Sequence, residues 1–414
     1  MIPFVLGHLL WRSRANPEYR HRISERLGFT SFRNTAPSVW IHAVSVGEVQ
    51  AAAALIRALQ RRYPTTPLVV TTMTPTGSAQ VRQLFGDTVA HCYAPYDLGS
   101  AVHRFFGRVN PRLAIIMETE LWPNLFHECG QRHVPLVLAS ARVSEKSVRR
   151  YQIVLDLFKE TLSHGIVIAA QSQADASRFR TLGANPGRVH VTGNIKFDFE
   201  FDATVAERGR ELRDQQAQGR RVWIAASTHD VEEDIVLRAH RRVREKYPDA
   251  LLILVPRHPE RFDDVVTLVR RRGHSFVRRS HGDRAASGTD VFVGDTMGEL
   301  TTFYAAADVA FVGGSLVDVG GHNLLEPAAL GVPVLTGPYN FNAADVAALL
   351  IENDCAAVVT DGEALARQVC LLFADSDERD RRSAAGLQVL RDNRGTLDRI
   401  MSLIDPLMVS SGDT

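Results

Sequence analysis

Cysteine is scarce: Cys92, Cys129, Cys355 and Cys370 are the only four in 414 residues, and no two form a CxxC pair. That removes a disulfide framework and a zinc-ribbon site, and it fits a reducing, cytoplasmic compartment. Excess charge is lacking too, with 48 Lys plus Arg against 47 Asp plus Glu and a net charge of +1. Nucleic-acid binders ordinarily carry a large basic excess, so no nucleic-acid partner is expected. No apolar run reaches the roughly 18 residues of a membrane span. Neither GxGxxG nor GxxxxGK(S/T) occurs, which removes support for dinucleotide oxidoreductases and P-loop enzymes. The fifteen histidines show no HExxH or other ligand spacing, so no metal site is expected, and His42, His229, His258 and His322 read as hydrogen-bonding residues. Asp375-Ser376-Asp377 is a DxD string, but it lies in a charged helical stretch and reads as solvated surface.

What is present is a chain of 45% hydrophobic and 23% charged residues, long enough for two ordinary domains. Ile2–Trp11 is a short apolar stretch followed by Arg12, Arg14, Arg20, Arg22 and Arg26. The charge follows the apolar run, which argues against a signal peptide. The segment is either a first helix docked on the domain or an amphipathic anchor whose arginines meet anionic headgroups.

From Val39 onward, short apolar runs alternate with amphipathic segments. VWIHA (39–43), LVVTT (68–72), LAIIME (113–118), LVLAS (136–140) and GIVIAA (165–170) predict buried parallel strands. A second series comprises VWIAAS (222–227), LLILVP (251–256), DVFVGD (290–295), VAFVGGS (309–315) and PVLTGP (333–338). This alternation predicts an α/β protein of two doubly wound, Rossmann-like domains facing each other across a cleft. The expected boundaries are 1–30 for a membrane-associating segment, 31–200 for the first domain, 201–220 for a linker, 221–390 for the second domain, and 391–414 for a C-terminal helix crossing back to the first. Ligands of such sheets bind beyond the carboxyl ends of the strands, so motifs just after the apolar runs carry most information.

HAVSVGE (42–48) follows the first run. Ser45 and Glu48 have the spacing of a capping box, while Gly47 would let a ligand approach and Glu48 is placed to act as a general base. The helix dipole stabilises that carboxylate and weakens it as a base; partial desolvation acts the other way. METELWPN (117–124) alternates Glu118 and Glu120, which would point to one side of an extended chain. SARVSEKSVRR (140–150) offers Arg142, Lys146, Arg149 and Arg150 either to an anionic acceptor or to solvent. In the second half, STHDVEE (227–233) and VPRHPER (255–261) each follow a strand, and Arg257 and His258 sit where a phosphate would be met. DTMGEL (295–300) has Gly298 opening a helix. FVGGS (311–315) and GGHNLLEP (320–327) bracket a Gly-rich loop whose backbone N–H groups could bind phosphate. Asn323 and Glu326 fit a capping box, or a pair of ribose and phosphate contacts.

HAVSVGE, ETELWPN, TGNIKFD, STHDVEE, PRHPER, DTMGEL and GGSLVDVGGHNLLEPAALGVPV, in this order between Trp11 and about Asn342, resemble the Kdo (3-deoxy-D-manno-octulosonic acid) transferases of lipopolysaccharide synthesis. The resemblance implies a GT-B glycosyltransferase that needs no metal or other cofactor. It implies CMP-Kdo as donor and a lipid A precursor, tetraacyldisaccharide 1,4'-bisphosphate (lipid IVA), as acceptor. The sugar would go to the primary 6'-hydroxyl with inversion. By the same resemblance Glu48 is the base, with Glu118 or Glu120 holding substrate groups. Ser45, Gly47, Arg142 and Lys146 fall on the acceptor side. Arg257, with His258, meets the CMP phosphate. Met297, Gly298 and Leu300 surround the cytosine, Gly313, Gly314 and Ser315 line the donor site, and Asn323 and Glu326 contact phosphate and ribose. Members of the family commonly begin with a longer apolar anchor than Ile2–Trp11. Peripheral or monotopic attachment to an anionic membrane surface is therefore expected, at the cytoplasmic face of the inner membrane. The alternatives are a GT-B enzyme using a UDP-sugar, a nucleotide-sugar epimerase of the same architecture, or a non-enzymatic nucleotide sensor. CMP against UDP protection from thermal unfolding separates the first two from a Kdo transferase.

Overall fold

The computed structural model describes residues 18, 21–118, 122–145, 147–148, 166–199 and 201–409. Ile2–Trp11, Arg12, Arg14, Arg20, Glu120, Lys146, Arg149 and Arg150 lie outside that set. The chain divides into two compact units, Met1–Phe199 with Asn393–Thr414, and Glu200–Asp392.

The first unit is built on a parallel sheet of seven strands in the order β3-β2-β1-β4-β5-β6-β7. These are β1 Ser38–His42, β2 Leu68–Thr72, β3 Ala90–Tyr93, β4 Pro111–Met117, β5 Leu136–Ala141, β6 Val167–Ala170 and β7 Val189–Val191. Its helices are α1 Ile23–Arg26, α2 Val46–Arg62, α3 Pro75–Phe85, α4 Gly99–Val109, α5 Pro123–Gln131 and α6 Gln173–Thr181. Side chains alternate across the sheet. Val39 and Ile41 of β1 join one core with Val49, Ile56 and Leu59 of α2 and Val81 of α3. Trp40 joins the other, with Phe105 and Phe106 of α4, Phe126 of α5 and Phe179 of α6. With both faces covered, the central strands read as continuous apolar runs, as parallel strands do.

The second unit repeats the plan in the order β10-β11-β9-β8-β12-β13-β14. Its strands are β8 Val222–Thr228, β9 Leu251–Pro256, β10 Phe276–Arg278, β11 Val291–Val293, β12 Val309–Val312, β13 Val334–Thr336 and β14 Ala356–Val358. The helices are α7 Val205–Gln216, α8 Glu232–Lys246, α9 Phe262–Arg271, α10 Leu300–Ala305, α11 Leu325–Ala329, α12 Ala344–Glu352, α13 Gly362–Ala374 and α14 Ser376–Asn393. Residues 201–220, expected as a linker, instead hold α7. It packs on α10, so tightly that a Cβ at Gly209 would lie 2.4 Å from that of Ala305, and Arg213 pairs with Asp308 at 3.0 Å.

The final helix, α15 Thr396–Val409, is part of the first unit, where Ile400, Ile404 and Met408 enter the core beside α2. Polar contacts hold it there. Asp198 accepts the Gly395 N–H at 2.7 Å and the Leu397 N–H, and Arg399 donates to the Thr192 carbonyl at 2.7 Å. Tyr63 donates its hydroxyl to Asp405 at 2.5 Å. Among the described residues no helix is long and apolar enough to cross a membrane.

Candidate active site

In the first unit the informative side chains stand at the carboxyl ends of β1, β4 and β5 and after β7. Glu48 lies in the first turn of α2, and Ser45 is its N-cap. The carboxylate accepts the Val44 N–H at 2.9 Å through Oε2 and the Ser45 hydroxyl at 3.0 Å through Oε1. The capping arrangement is therefore present, and it fixes the carboxylate at the strand-to-helix turn. Gly47 is exposed, and a Cβ there would meet nothing nearer than Ser45 Oγ at 4.0 Å, so no close protein contact demands glycine.

Glu118 leaves β4 with φ of +55°, in the left-handed region. Its side chain is 13% exposed and held by two cations: Arg142 at 2.9 Å and Lys196 Nζ at 3.1 Å. A carboxylate this enclosed needs such pairing. Lys196, from the TGNIKFD stretch after β7, was not among the expected site residues; its signal was a lone lysine inside a motif at a strand end. Arg142 was expected to face an anionic acceptor, yet here it meets Glu118. At the end of β1 His42 is fully buried, its Nδ1 2.9 Å from Thr71 Oγ1, and burial pushes it down to about 4.

In the second unit a buried carboxylate organises the Gly-rich turn. Glu232, in the first turn of α8 and fully buried, accepts four backbone N–H groups. Oε2 takes those of Gly314 (2.7 Å) and His229 (3.2 Å), and Oε1 takes those of Leu316 (2.9 Å) and Ser315 (3.2 Å). The Gly313 N–H donates to the Ala226 carbonyl at 2.8 Å. This corrects the expectation that amides of Gly313, Gly314 and Ser315 would be open to a phosphate: Glu232 takes those of Gly314 and Ser315, and the Ala226 carbonyl takes that of Gly313. Glycine is needed here by crowding, since a Cβ at Gly313 would lie 2.6 Å from Glu232 Oε2 and 2.8 Å from the Ser227 carbonyl oxygen. Ser315 is wholly buried and donates its hydroxyl to the Val312 carbonyl.

Around this turn stand cations and imidazoles. The Arg257 side chain makes no hydrogen bond or ion pair to any described residue, although its charge acts on His229, His322 and Glu326. The parallel rings of His229 and His322 meet end to end, with centroids 5.1 Å apart and their Nε2 atoms at 2.8 Å. His258 meets His229 edge-on at 5.2 Å. Arg261 pairs with Asp230 and with the buried Glu233, both at 3.1 Å. Burial pushes the Glu233 carboxyl up to about 7 against the pull of Arg261.

Asn323 donates its amide to Glu326 at 3.0 Å and accepts the Leu325 N–H at 3.0 Å. Burial pushes the Glu326 carboxyl up, against Asn323 and Arg257. Gly298 does not open the helix; α10 starts at Leu300, and Gly298 has φ of +82° in the preceding loop. That loop is pinned by Asp295, which accepts from Arg278 and Ser280 at 2.6 Å, and by Glu299, paired with Arg279 at 2.6 Å. Met297 stands 61% exposed on it, an apolar platform on a firm support.

Residues 21–199 match the family model described as 3-Deoxy-D-manno-octulosonic-acid transferase (kdotransferase), and residues 219–389 match that of Glycosyl transferases group 1. A 3-deoxy-D-manno-octulosonic acid transferase of Haemophilus influenzae is 43% identical over 98% of this chain and 96% of its own. One of Bordetella pertussis is 35% identical over 96% of this chain and 94% of its own. A glycosyltransferase structure from Rickettsia africae superposes with a TM-score of 0.57 at 11% identity, over 92% of this chain and all of that one, a likeness of fold alone. The two parallel α/β units are those of a GT-B-type glycosyltransferase, and the chain belongs to the 3-deoxy-D-manno-octulosonic acid transferase family.

Proposed function

We propose that this enzyme transfers Kdo from CMP-Kdo to the primary 6'-hydroxyl of a lipid A precursor, with inversion at the anomeric carbon. The match to Kdo transferases over nearly the whole chain carries the reading. The membrane partner is the cytoplasmic leaflet of the inner membrane, where a bisphosphorylated lipid acceptor resides.

The site residues take complementary roles. Arg257, whose guanidinium lacks a protein partner among the described residues, meets the CMP phosphate, and His258 lies beside it. The pinned loop of Met297, Gly298 and Leu300 receives the cytosine, and Asn323 with Glu326 contacts phosphate and ribose. Gly313, Gly314 and Ser315 form the floor, their amides held by Ala226 and Glu232 rather than by direct contact with the donor. In the first unit Ser45 and Gly47 flank the base, and Glu118, with Arg142 and Lys196, orients polar substrate groups. Glu48 takes the proton of the acceptor hydroxyl as its oxygen bonds to the anomeric carbon. The bond from that carbon to the CMP phosphate oxygen breaks, and CMP leaves with the electron pair. Val44 and Ser45 hold the Glu48 carboxylate at the strand-to-helix turn. The leaving phosphate gathers negative charge, which a free guanidinium stabilises.

The test is a transfer assay with CMP-Kdo generated in place and the tetraacyldisaccharide bisphosphate, read by mass spectrometry. A gain of one or more Kdo units is expected. No gain, with CMP shown to bind, would overturn the acceptor assignment.

A further inference from the structure

The His229–His322 contact sets a limit on protons. Two imidazole nitrogens 2.8 Å apart hold one hydrogen between them. In the neutral pair one ring donates from Nε2 and has a bare Nδ1, while the other ring carries its proton on Nδ1. One added proton makes both Nδ1 atoms donors. A second would set two N–H groups head to head. The pair is therefore a one-proton device with two outer nitrogens, and its charged form matches an accept-only dianion.

Its surroundings fit that use. His229 follows β8, and its backbone N–H donates to Glu232. His322 lies in the Gly320–Gly321 loop against Gly314, where a Cβ would sit 2.9 Å from the ring. The groups acting on the pair are Arg257, Arg261 and His258, with Arg261 already paired to Asp230 and Glu233. Glu260 lies 3.8 Å from His258, and Glu326 is bonded to Asn323. Burial, reinforced by Arg257, pushes both histidines down, His322 to about 4, so the pair is neutral near pH 7. A phosphate dianion beside the unpartnered Arg257 would reverse that field.

We infer that the His229–His322 pair is a proton-linked phosphate contact: it takes up one proton when the phosphate of a nucleoside monophosphate binds beside Arg257. The inference rests on the reading of Arg257 given under Proposed function. The proton comes from solvent, goes to the bare outer Nδ1 while the hydrogen between the two Nε2 atoms stays in place, and leaves when the phosphate leaves.

Calorimetric titration of the full chain with CMP at pH 7.5, in buffers of different ionisation enthalpy, tests this. A phosphate monoester has a second pKa of about 6, so CMP itself takes up almost no proton there. Uptake approaching one proton per CMP is expected, with none for cytidine. CMP affinity should fall by up to about tenfold per pH unit above pH 7.5. His322→Gln should bind CMP more weakly and with almost no uptake. Histidine nitrogen shifts of the unaltered protein, recorded with and without CMP, read the same proton without a substitution. CMP binding without proton uptake, or equal uptake by His322→Gln, would overturn the inference and leave the donor site standing. Failure of the intact chain to bind CMP would overturn the donor reading and this inference together.

Discussion

Glu232 Oε2 accepts the Gly314 backbone N–H at 2.7 Å, joining the first turn of α8 to the turn after β12. One carboxylate thereby ties the ends of β8 and β12 together and satisfies amides that would otherwise be buried without acceptors. Such charge-assisted bonds to backbone donors are among the stronger ones in a protein interior.

The same contact decides what Gly313 can tolerate. In Gly313→Ala the new methyl falls 2.6 Å from Glu232 Oε2 and 2.9 Å from Thr228 Cα. A loss of about 1–3 kcal/mol is expected in denaturant unfolding. Gly47→Ala, with open space around it, should stay within about 0.5 kcal/mol of the parent. Equal effects would refute the crowding argument.

Arg257 and Arg261 should separate binding from stability. Arg257→Met removes a cation without a protein partner, so unfolding should move by no more than about 0.5 kcal/mol. CMP affinity should fall at least about tenfold, the scale of one charged hydrogen bond. Arg261→Met removes the pairs to Asp230 and to the buried Glu233, whose carboxyl, already pushed up to about 7, then takes up a proton; the unmade charged bonds should cost about 1–3 kcal/mol. Thermal unfolding with and without CMP checks both.

Glu48→Gln should keep CMP binding and lose transfer. A glutamine side chain can still accept one bond at the turn but cannot take a proton from the acceptor. Unchanged turnover would refute the base assignment.

Asp198 holds the start of the last helix through the Gly395 and Leu397 N–H groups. Asp198→Ala should cost about 1–2 kcal/mol, as loss of a helix cap does. Hydrogen exchange should quicken over Thr396–Val409 before it does in β1 or β4. Uniform quickening would show that the cap is not local.

Acid should destabilise the first unit through His42. Its folded value is about 4 against an ordinary 6.5, because burial disfavours the charged ring. Between those values the unfolded chain binds the proton more readily. The stability contributed by the neutral ring is therefore full above pH 6.5 and is lost as pH falls toward 4. The loss totals about 3 kcal/mol at roughly 1.4 kcal/mol per unit. In His42→Asn the decline over that window, followed by denaturant unfolding, should be shallower by a comparable amount. An unchanged slope would move the effect to other histidines.

The sequence determined the centres of both sheets and the order of the motifs. β1, β2, β4, β5 and β6 and β8, β9, β11, β12 and β13 are legible because burial on both faces forces apolar runs. The four strands that left no such signal, β3, β7, β10 and β14, are the outer strands of their sheets. They are three or four residues long and partly exposed, so the pattern has little to act on. Local spacing also revealed the Ser45–Glu48 turn, since its bonds lie within a few residues.

Only the tertiary structure decided which partner takes which polar group. The Gly-rich turn looked open because its acceptor, Glu232, is 82 residues away in the chain. His229 and His322 are separated by 93 residues, and Lys196 reaches Glu118 from beyond β7. Hydrogen bonds and ion pairs act over about 3 Å in space and carry no periodicity along the chain, so no pattern of residues announces them. Within each unit, the crossovers of the parallel sheet bring such residues together at its strand ends.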